Sequence, residues 1–150
     1  MNFNFDMSHL KEIIDYGIIG LLVFMSFIVV WLSLERWFYY WRVKVEEFKN
    51  KEELEIELTK YLTIIATAAS SAPYIGLLGT VLGIILTFYT MGLKGVVETK
   101  EIMTGLALAL KATAMGLVVA IPATIFYNFL VRRVEVLLAR WDIVHENKEV

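Results

Sequence analysis

The stretch GLALALKATAMGLVVAIPATIFYNFL, residues 105–130, contains a single charged side chain, that of Lys111. Widened to residues 102–131, the segment has 30 residues and still only this charge. A bilayer core about 30 Å thick is crossed by roughly 20 residues of helix. The stretch therefore predicts a membrane-spanning helix, and it raises the question of why an ammonium group lies inside it.

Two further segments are apolar enough and long enough to cross a bilayer. Residues 16–34 are 19 consecutive uncharged residues, and residues 61–93 are 33. The three segments raise the apolar fraction of this 150-residue chain to 58% and its mean hydropathy to +0.63, whereas soluble domains are about 45–50% apolar. We predict an all-α polytopic membrane protein with three transmembrane helices, formed by a single domain over residues 1–150.

The distribution of Lys and Arg predicts the orientation. Ten of these residues lie between the first two segments or after the third, and three flank the opposite ends. We therefore expect the N-terminus outside and the C-terminus in the cytoplasm. The N-terminus has no basic region and no small-residue cleavage site before the first span, so we expect the first helix to be retained. The predicted parts are an N-terminus on the outer side (1–12), a first span (13–34), a cytoplasmic helical segment (35–72), a second span (73–92), a turn on the outer side (93–101), a third span (102–131) and a cytoplasmic tail (132–150).

The later segments are longer than a bilayer requires. At 1.5 Å per residue, 33 and 30 residues of helix reach about 50 and 45 Å, so we expect both helices to project into the cytoplasm or to tilt. The first helix is expected to continue to a break at Asn50, after which a second stalk helix runs through Tyr61. The ring-rich stretch before that break predicts an aromatic belt at the membrane surface: Trp31, Trp37, Phe38, Tyr39, Tyr40 and Trp41.

Hydroxyl and small side chains recur along the second and third spans. Helical geometry places the hydroxyls of the second span in one narrow sector: Thr63, Thr67, Ser70, Thr80 and Thr87. The third span has Thr113, Thr124 and Asn128 beside a ridge of small residues: Gly105, Ala109, Ala112, Gly116, Ala120 and Ala123. One interpretation is close helix packing, with hydroxyls bonded to their own helix. The other is an interface facing water or another subunit. Since three helices cannot enclose a conduit, the second interpretation predicts several copies.

The spans lack a group that holds a proton near neutral pH. Within the predicted bilayer depth there is no Asp, Glu or His, and hydroxyls relay protons without keeping a charge. If the protein moves protons, the titrating carboxylate must therefore come from a second subunit. Pro73 and Pro122 are expected to break the helical hydrogen bonding, and Pro122 should free a carbonyl about one turn earlier.

Several function classes are disfavoured by the sequence. The net charge of −2 argues against a nucleic-acid partner, and the chain has no cysteine. We find no nucleophile–base set, phosphate loop or metal-ligand spacing, so we expect neither an enzyme nor a cofactor. His9 and His145 are expected to be solvated and not to bind metal.

Charges near the predicted membrane boundaries have two interpretations each. Asp15 fits a simple boundary residue at the outer end of the first span, or a guide for protons. Glu35 and Arg36 are expected to anchor the inner end of that helix. Glu35 is also a candidate partner for Arg132 or Arg133.

Two long motifs resemble those of the ExbB/TolQ proteins, distant relatives of the flagellar stator protein MotA. They are SAPYIGLLGTVLGIILTF at residues 71–88 and LALALKATAMGLVVAIPATIFYNFLVRRVE at residues 106–135. The resemblance extends over about residues 10–140 and includes the LERW exit from the first span. Short loops and small size favour the ExbB side of the family.

The resemblance implies a pentameric ring in the bacterial inner membrane around single-span ExbD-like subunits. Proton-motive force would drive this assembly and, through a TonB-like protein, energise transport across the outer membrane. The family's pore threonines fall on Thr80 and Thr113, and the partner supplies the intramembrane aspartate. We extend the predicted pathway to Thr87, Thr124 and Asn128. The alternatives are a TolQ-type role in envelope constriction and a membrane scaffold that conducts nothing.

Lys111 departs from the family pattern. Many members have a glutamate where this chain has Leu108, and Lys111 lies one turn further along with the opposite charge. Three interpretations compete: the ammonium snorkels from about 13 Å below the outer end of the span, it forms an ion pair in a subunit interface or with the partner's carboxylate, or it titrates as a relay.

Overall fold

The computed structural model describes residues 3–149, with side chains from residue 9 onward. Residues 1–2 of the predicted periplasmic N-terminus and residue 150 of the predicted tail lie outside this range. The described part contains four α-helices: α1 (Phe3–Arg42), α2 (Lys51–Leu58), α3 (Leu62–Lys94) and α4 (Thr99–Glu149). Three of them, α1, α3 and α4, are long and apolar enough to cross a membrane. The all-α fold with three candidate spans is as predicted.

The long helices α3 and α4 form an antiparallel hairpin. The link between them is four residues long, and α3 ends at Gly95, whose φ of 79° is in the region that favours glycine. The Gly95 N–H donates to the Met91 carbonyl at 3.3 Å. This link is shorter than the predicted turn of 93–101, because the helices extend into both of its ends.

Helix α1 lies against the α3–α4 hairpin and runs in the same direction as α4. Leu22 is fully buried in a cluster with Ala72 of α3 and Val119 of α4. Further along, Ser33 of α1 lies beside Leu130 of α4. Because the pairs rise together along both helices, α1 and α4 are parallel.

The largest core lies at the end of the molecule where the helices meet the segment between α1 and α2. Buried Leu54 and Leu58 of α2 pack in one cluster with Leu130 and Val134 of α4. The Trp141 indole N–H donates to the carbonyl of Phe48 at 2.9 Å. The predicted packing of helical stalks on one another is therefore confirmed.

The stalk helices differ from the prediction in their ends. Helix α1 ends at Arg42 and does not continue to Asn50, because residues around a short 3₁₀ turn, Val45–Glu47, are extended and direct Val45 into the core. The next helix ends at Leu58 and does not run through Tyr61. Tyr61 has a φ of 70°, which separates α2 from α3.

Side chains of α1 hold the end of α2. The Arg36 guanidinium donates to the carbonyl of Glu57 at 2.6 Å, and the Tyr40 hydroxyl donates to the carbonyl of Leu58 at 2.5 Å. Both are carbonyls of a helix's last turn, which have no partner within the helix. Arg36 and Tyr40 are 3% and 2% exposed, so these contacts satisfy polar groups that water does not reach.

Two expectations about this region were wrong. Glu35 does not pair with Arg132 or Arg133: its carboxylate binds Arg36 at 2.6 Å, because the buried guanidinium is the nearest cation. Tyr40 does not belong to a membrane-surface belt, since it is buried against α2, whereas four other rings are exposed: Trp31, Trp37, Phe38 and Trp41.

Two further expectations concern the prolines and His145. Pro73 and Pro122 lack a backbone N–H and so interrupt the helical hydrogen bonding as expected, but neither breaks its helix, since each lies inside one continuous helix. Each removes one hydrogen bond from a helix long enough, and packed closely enough, to keep its course. His145 is not simply solvated, because its ring stacks on that of Trp141 with centroids 3.8 Å apart.

Candidate functional site

The α3–α4 interface brings the two backbones into contact. A Cβ atom added to Gly76 would lie 2.6 Å from the Ala112 carbonyl oxygen, and one added to Gly116 would lie 2.6 Å from that of Ala72. Real Cβ atoms do not approach backbone this closely, so only glycine fits at both positions. Small residues are what allow apolar helices to associate in lipid. The α3–α4 pair is therefore a rigid unit at this level.

The small-residue ridge of α4 continues this contact in both directions. A Cβ on Gly79 would lie 2.7 Å from Ala112 Cβ, and one on Gly83 would lie 3.0 Å from Ala109 Cβ. Nearer the α3–α4 link, Gly105 leaves room for the Thr87 side chain. The predicted close packing along the ridge is therefore confirmed.

Most hydroxyls of α3 and α4 bond to their own helix. Thr87 donates to the Gly83 carbonyl at 2.7 Å, and Thr124 donates to the Ala120 carbonyl at 2.8 Å. Thr67 likewise donates to Thr63 at 2.7 Å. These bonds satisfy a hydroxyl in an apolar surrounding without involving a neighbour, so they give no sign of a pathway by themselves.

Thr80 and Thr113 depart from this pattern because their hydrogen bonds cross between the helices. Thr80 Oγ1 lies 2.5 Å from Thr113 Oγ1 and donates to the Ala109 carbonyl of α4 at 2.8 Å. Thr80 is 6% exposed, whereas Thr113 is half-buried. The two residues that the family resemblance selected thus form one hydrogen-bonded unit, with Thr113 on its accessible side.

The number of hydroxyl protons determines which group donates in each hydrogen bond of this unit. A hydroxyl has one proton and two lone pairs. Since the Thr80 proton goes to the Ala109 carbonyl, the proton between the two hydroxyls belongs to Thr113. Both hydroxyl protons are then used inside the unit, and the Thr113 oxygen keeps lone pairs free. The unit therefore presents a hydrogen-bond acceptor to its surroundings.

The other predicted pathway residues lie in two separate grooves. Thr124 and Asn128 line a groove of about 800 Å³ between α3 and α4, together with Thr63 and Thr67. Thr87 lines a different groove of about 550 Å³ at the α3–α4 link, whose wall includes a residue of α1. We call these the inner and outer grooves.

The expectation that the α3 hydroxyls share one narrow sector was wrong. Thr63, Thr67 and Ser70 are exposed, whereas Thr80 and Thr87 are buried under α4. Ser70 and Thr80 are ten residues apart, so at 100° per residue Thr80 is rotated about 80° from Ser70 around the helix.

Lys111 and Leu108 lie on another side of α4. Both are exposed and line a cleft of about 220 Å³ between α1 and α4, with Glu12 and Asp15 on the opposite wall. Lys111 and Thr113 are two residues apart, which places them about 200° apart around the helix at 100° per residue, so this side is turned away from Thr113.

Sequence reasoning missed two groups that position the site. The Ala109 carbonyl, which fixes the direction of the threonine unit, is a backbone atom and leaves no side-chain signal. The Arg36 and Tyr40 contacts with α2 depend on a bend that the sequence pattern did not show. Within residues 9–149 the structure shows no group of three side chains that would hold a metal ion.

The chain is similar to known proteins along most of its length. The profile of the MotA/TolQ/ExbB proton channel family matches residues 41–143. The chain is 63% identical over 139 residues to the biopolymer transport protein ExbB of Aquifex aeolicus, covering 93% of this chain and 94% of that protein. It is 54% identical over 136 residues to the putative biopolymer transport protein ExbB-like 2 of Helicobacter pylori strain 26695, covering 91% of each.

The match to a TolQ protein is shorter. The Tol-Pal system protein TolQ of Pseudomonas aeruginosa is 40% identical over 92 residues, which is 61% of this chain and 39% of that protein. Because the proteins of Aquifex aeolicus and Helicobacter pylori named above match nearly from end to end, the function is of the ExbB type, and the resemblance read from the motifs is confirmed. The chain is a membrane protein that belongs to the MotA/TolQ/ExbB proton channel family.

Proposed function

We propose that this protein is the scaffold and proton-channel subunit of an inner-membrane complex that uses proton-motive force to energise transport across the outer membrane. Several copies, five in our proposal, enclose single-span ExbD-like subunits, and a TonB-like protein receives the energy. The N-terminus lies in the periplasm and the C-terminus in the cytoplasm. The observation that carries the proposal is the Thr80–Thr113–Ala109 unit between α3 and α4.

The direction of that unit supports a role in handling a protonated acid. Thr113 offers an acceptor oxygen, because its own proton is donated to Thr80. A neutral carboxylic acid is a donor, whereas a carboxylate only accepts. The site thus suits the neutral form of a partner's aspartate and offers the charged form no donor until the Thr113 hydroxyl rotates. A difference between the two protonation states is what a proton-driven step requires.

The cost of charge in lipid supplies the driving force. An ionised carboxylate at the centre of a membrane costs about 2.5–3.5 kcal/mol on insertion scales. Only the neutral acid therefore passes an apolar wall easily. Once the acid has lost its proton, it is held where a donor reaches it, either water or the Thr113 hydroxyl after rotation. In this proposal, proton uptake and release turn the inner subunits relative to the ring.

The residues around the Thr80–Thr113–Ala109 unit favour a constant separation of α3 and α4 and a hydrated inner groove. Backbone contact at Gly76 and Gly116 keeps α3 and α4 at one separation. The inner groove has hydroxyls along its length and the carboxylates of Glu55 and Glu135 in its lining. Such a lining suits water and protons on the cytoplasmic side.

Replacement of the two hydroxyls by a side chain of the same shape tests the proposal. Thr80→Val and Thr113→Val should each abolish energy-dependent uptake and proton flux while the purified complex keeps its composition by native mass spectrometry. Thr90→Val is the matched control, because the Thr90 hydroxyl donates to its own helix at Leu86, 2.7 Å away. Normal uptake in both test variants would favour a scaffold that does not conduct.

A further inference from the structure

The level of Lys111 relative to the apolar layer follows from the residues of the parallel helix α1 that lie beside it. Asp15 and Lys111 line the same cleft, and Leu22 packs beside Val119 further along. Asp15 is the last charged residue before the uncharged stretch of residues 16–34. Measured against α1, Lys111 therefore lies at the outer limit of the apolar layer, although on α4 it lies nine residues inside an apolar run.

The cleft brings opposite charges together. The carboxylates of Glu12 and Asp15 come from α1, the ammonium of Lys111 comes from α4, and Tyr16 adds a phenol. Two acids facing one base give the cleft an excess of negative charge. A lone ammonium exposed to acyl chains would cost several kcal/mol, and nearby carboxylates reduce that cost.

The cleft is large and polar enough for water. Its volume is about 220 Å³. One water molecule occupies about 10–15 Å³ of such accessible volume and needs two to four polar partners. The two carboxylates, the ammonium and the phenol supply those partners. Their polar atoms need not touch one another if water lies between them.

We propose that the cleft between α1 and α4 is a water-filled inlet open to the outer side of the membrane, in which Asp15 and Glu12 keep the Lys111 ammonium hydrated and neutralised. Lys111 is thus a positioning residue that fixes α1 on α4 within one chain. The inlet rests on the orientation given under the proposed function and does not require that protons flow past Thr113.

Chemical labelling tests the inlet directly, because the chain has no cysteine of its own. In the complex in oriented membranes, Lys111→Cys is treated from outside with a membrane-impermeant, positively charged thiol reagent. Lys100→Cys, in the outermost part of α4, is the reference, and Leu110→Cys is the control at equal depth on another side of the helix. Thiols react as thiolates, which form in water and not in an apolar layer.

The expected result is modification of Lys111→Cys within about tenfold of the Lys100→Cys rate, with Leu110→Cys slower by about a hundredfold, because burial in an apolar environment suppresses the thiolate. A Lys111→Cys protein as unreactive as Leu110→Cys would overturn the inlet. Adding Thr113→Val to Lys111→Cys should leave the labelling rate of Lys111→Cys unchanged, so a failure of the conduction proposal is seen separately.

Charge exchange tests the pairing without relying on a cysteine variant. Lys111→Asp places a third carboxylate in the cleft and should lower the amount of assembled complex in membranes. The double variant Asp15→Lys/Lys111→Asp should recover that amount, because the opposite charges face each other again. The pairing is wrong if the double variant assembles no better than Lys111→Asp alone.

Discussion

The Oγ1 atoms of Thr80 and Thr113 lie 2.5 Å apart across the α3–α4 interface, and the Ala109 carbonyl takes the remaining proton of the pair. Thr80 is buried and Thr113 is half-buried, so the two hydroxyls have different tasks. Thr80 holds the orientation, and Thr113 offers its free lone pairs. The following predictions concern this unit and the packing that keeps it in place.

Serine should replace Thr80 far better than valine does. Thr80→Ser keeps the hydroxyl and both of its hydrogen bonds, whereas Thr80→Val removes them and leaves the Thr113 proton without its acceptor. One buried hydrogen bond contributes about 0.5–1.5 kcal/mol of net stability. Thermal unfolding in detergent should show that loss for the valine variant, with uptake retained only in the serine variant. Equal uptake in the two would argue against a role for the hydroxyl.

Gly116→Ala should separate α3 from α4. The added methyl group would meet the Ala72 carbonyl oxygen at 2.6 Å and Gly76 Cα at 3.0 Å, and overpacking of this kind costs about 1–3 kcal/mol. The wider spacing should also break the threonine pair, so uptake falls with stability. Gly92→Ala, where no atom lies within 4 Å of the new Cβ, should be neutral or slightly stabilising. A Gly116→Ala protein that unfolds at the parent's temperature would contradict the close contact.

Tyr40→Phe should loosen α2 from α1. The Tyr40 hydroxyl is the partner of the Leu58 carbonyl, and a buried acceptor left without its donor costs about 1–3 kcal/mol. Limited proteolysis should then cut near residues 59–61 faster than in the parent. Tyr74→Phe, which changes a ring that is 71% exposed, is the control for the loss of a phenol. Unchanged proteolysis of Tyr40→Phe would show that the contact contributes little.

The ion pair between Lys51 and Asp142 should have a small effect that depends on salt and on alkaline pH. Its atoms lie 2.8 Å apart with both side chains well exposed, and exposed pairs contribute little. The hydrogen bond to Asp142 raises the pKa of Lys51 above 10.5. A raised lysine pKa means that the stabilisation is complete below the ordinary value and is lost as pH rises through the raised one. The unfolding temperature of Lys51→Met should equal that of the parent at pH values above the raised pKa. At neutral pH it should be slightly lower than the parent's, and high salt should remove this difference.

The membrane spans and the protein family could be predicted from local features of the sequence. Runs of uncharged residues predict membrane helices because lipid requires apolar side chains and internally satisfied backbones, and this requirement holds whatever the neighbours are. The ridge that includes Gly116 was also visible, since close approach of helices needs small residues at helical spacing. Thr80 and Thr113 were selected by the family motifs.

Other features depended on contacts between distant residues. Helix α1 ends at Arg42 because Val45 turns into a core made by α2 and α4, and a local pattern does not contain that core. Glu35 binds its neighbour Arg36 because Arg36 is buried and needs a carboxylate. The sequence also offered Arg132 and Arg133 as partners, but Arg132 pairs with Glu135 in its own helix.

The sequence by itself determined that this chain has three segments long and apolar enough to cross a membrane, that α3 and α4 pack through glycine and alanine, and that the predicted spans hold no acid to accept a proton. Only the tertiary structure decided which hydroxyls meet and which way their protons point, because a hydrogen bond between Thr80 and Thr113 depends on the distance between two helices. It also decided the surroundings of Lys111, since Glu12 and Asp15, which line its cleft, come from a distant part of the chain. The sequence specifies the chemistry of each side chain, whereas the residues that surround a side chain are determined only when the chain folds.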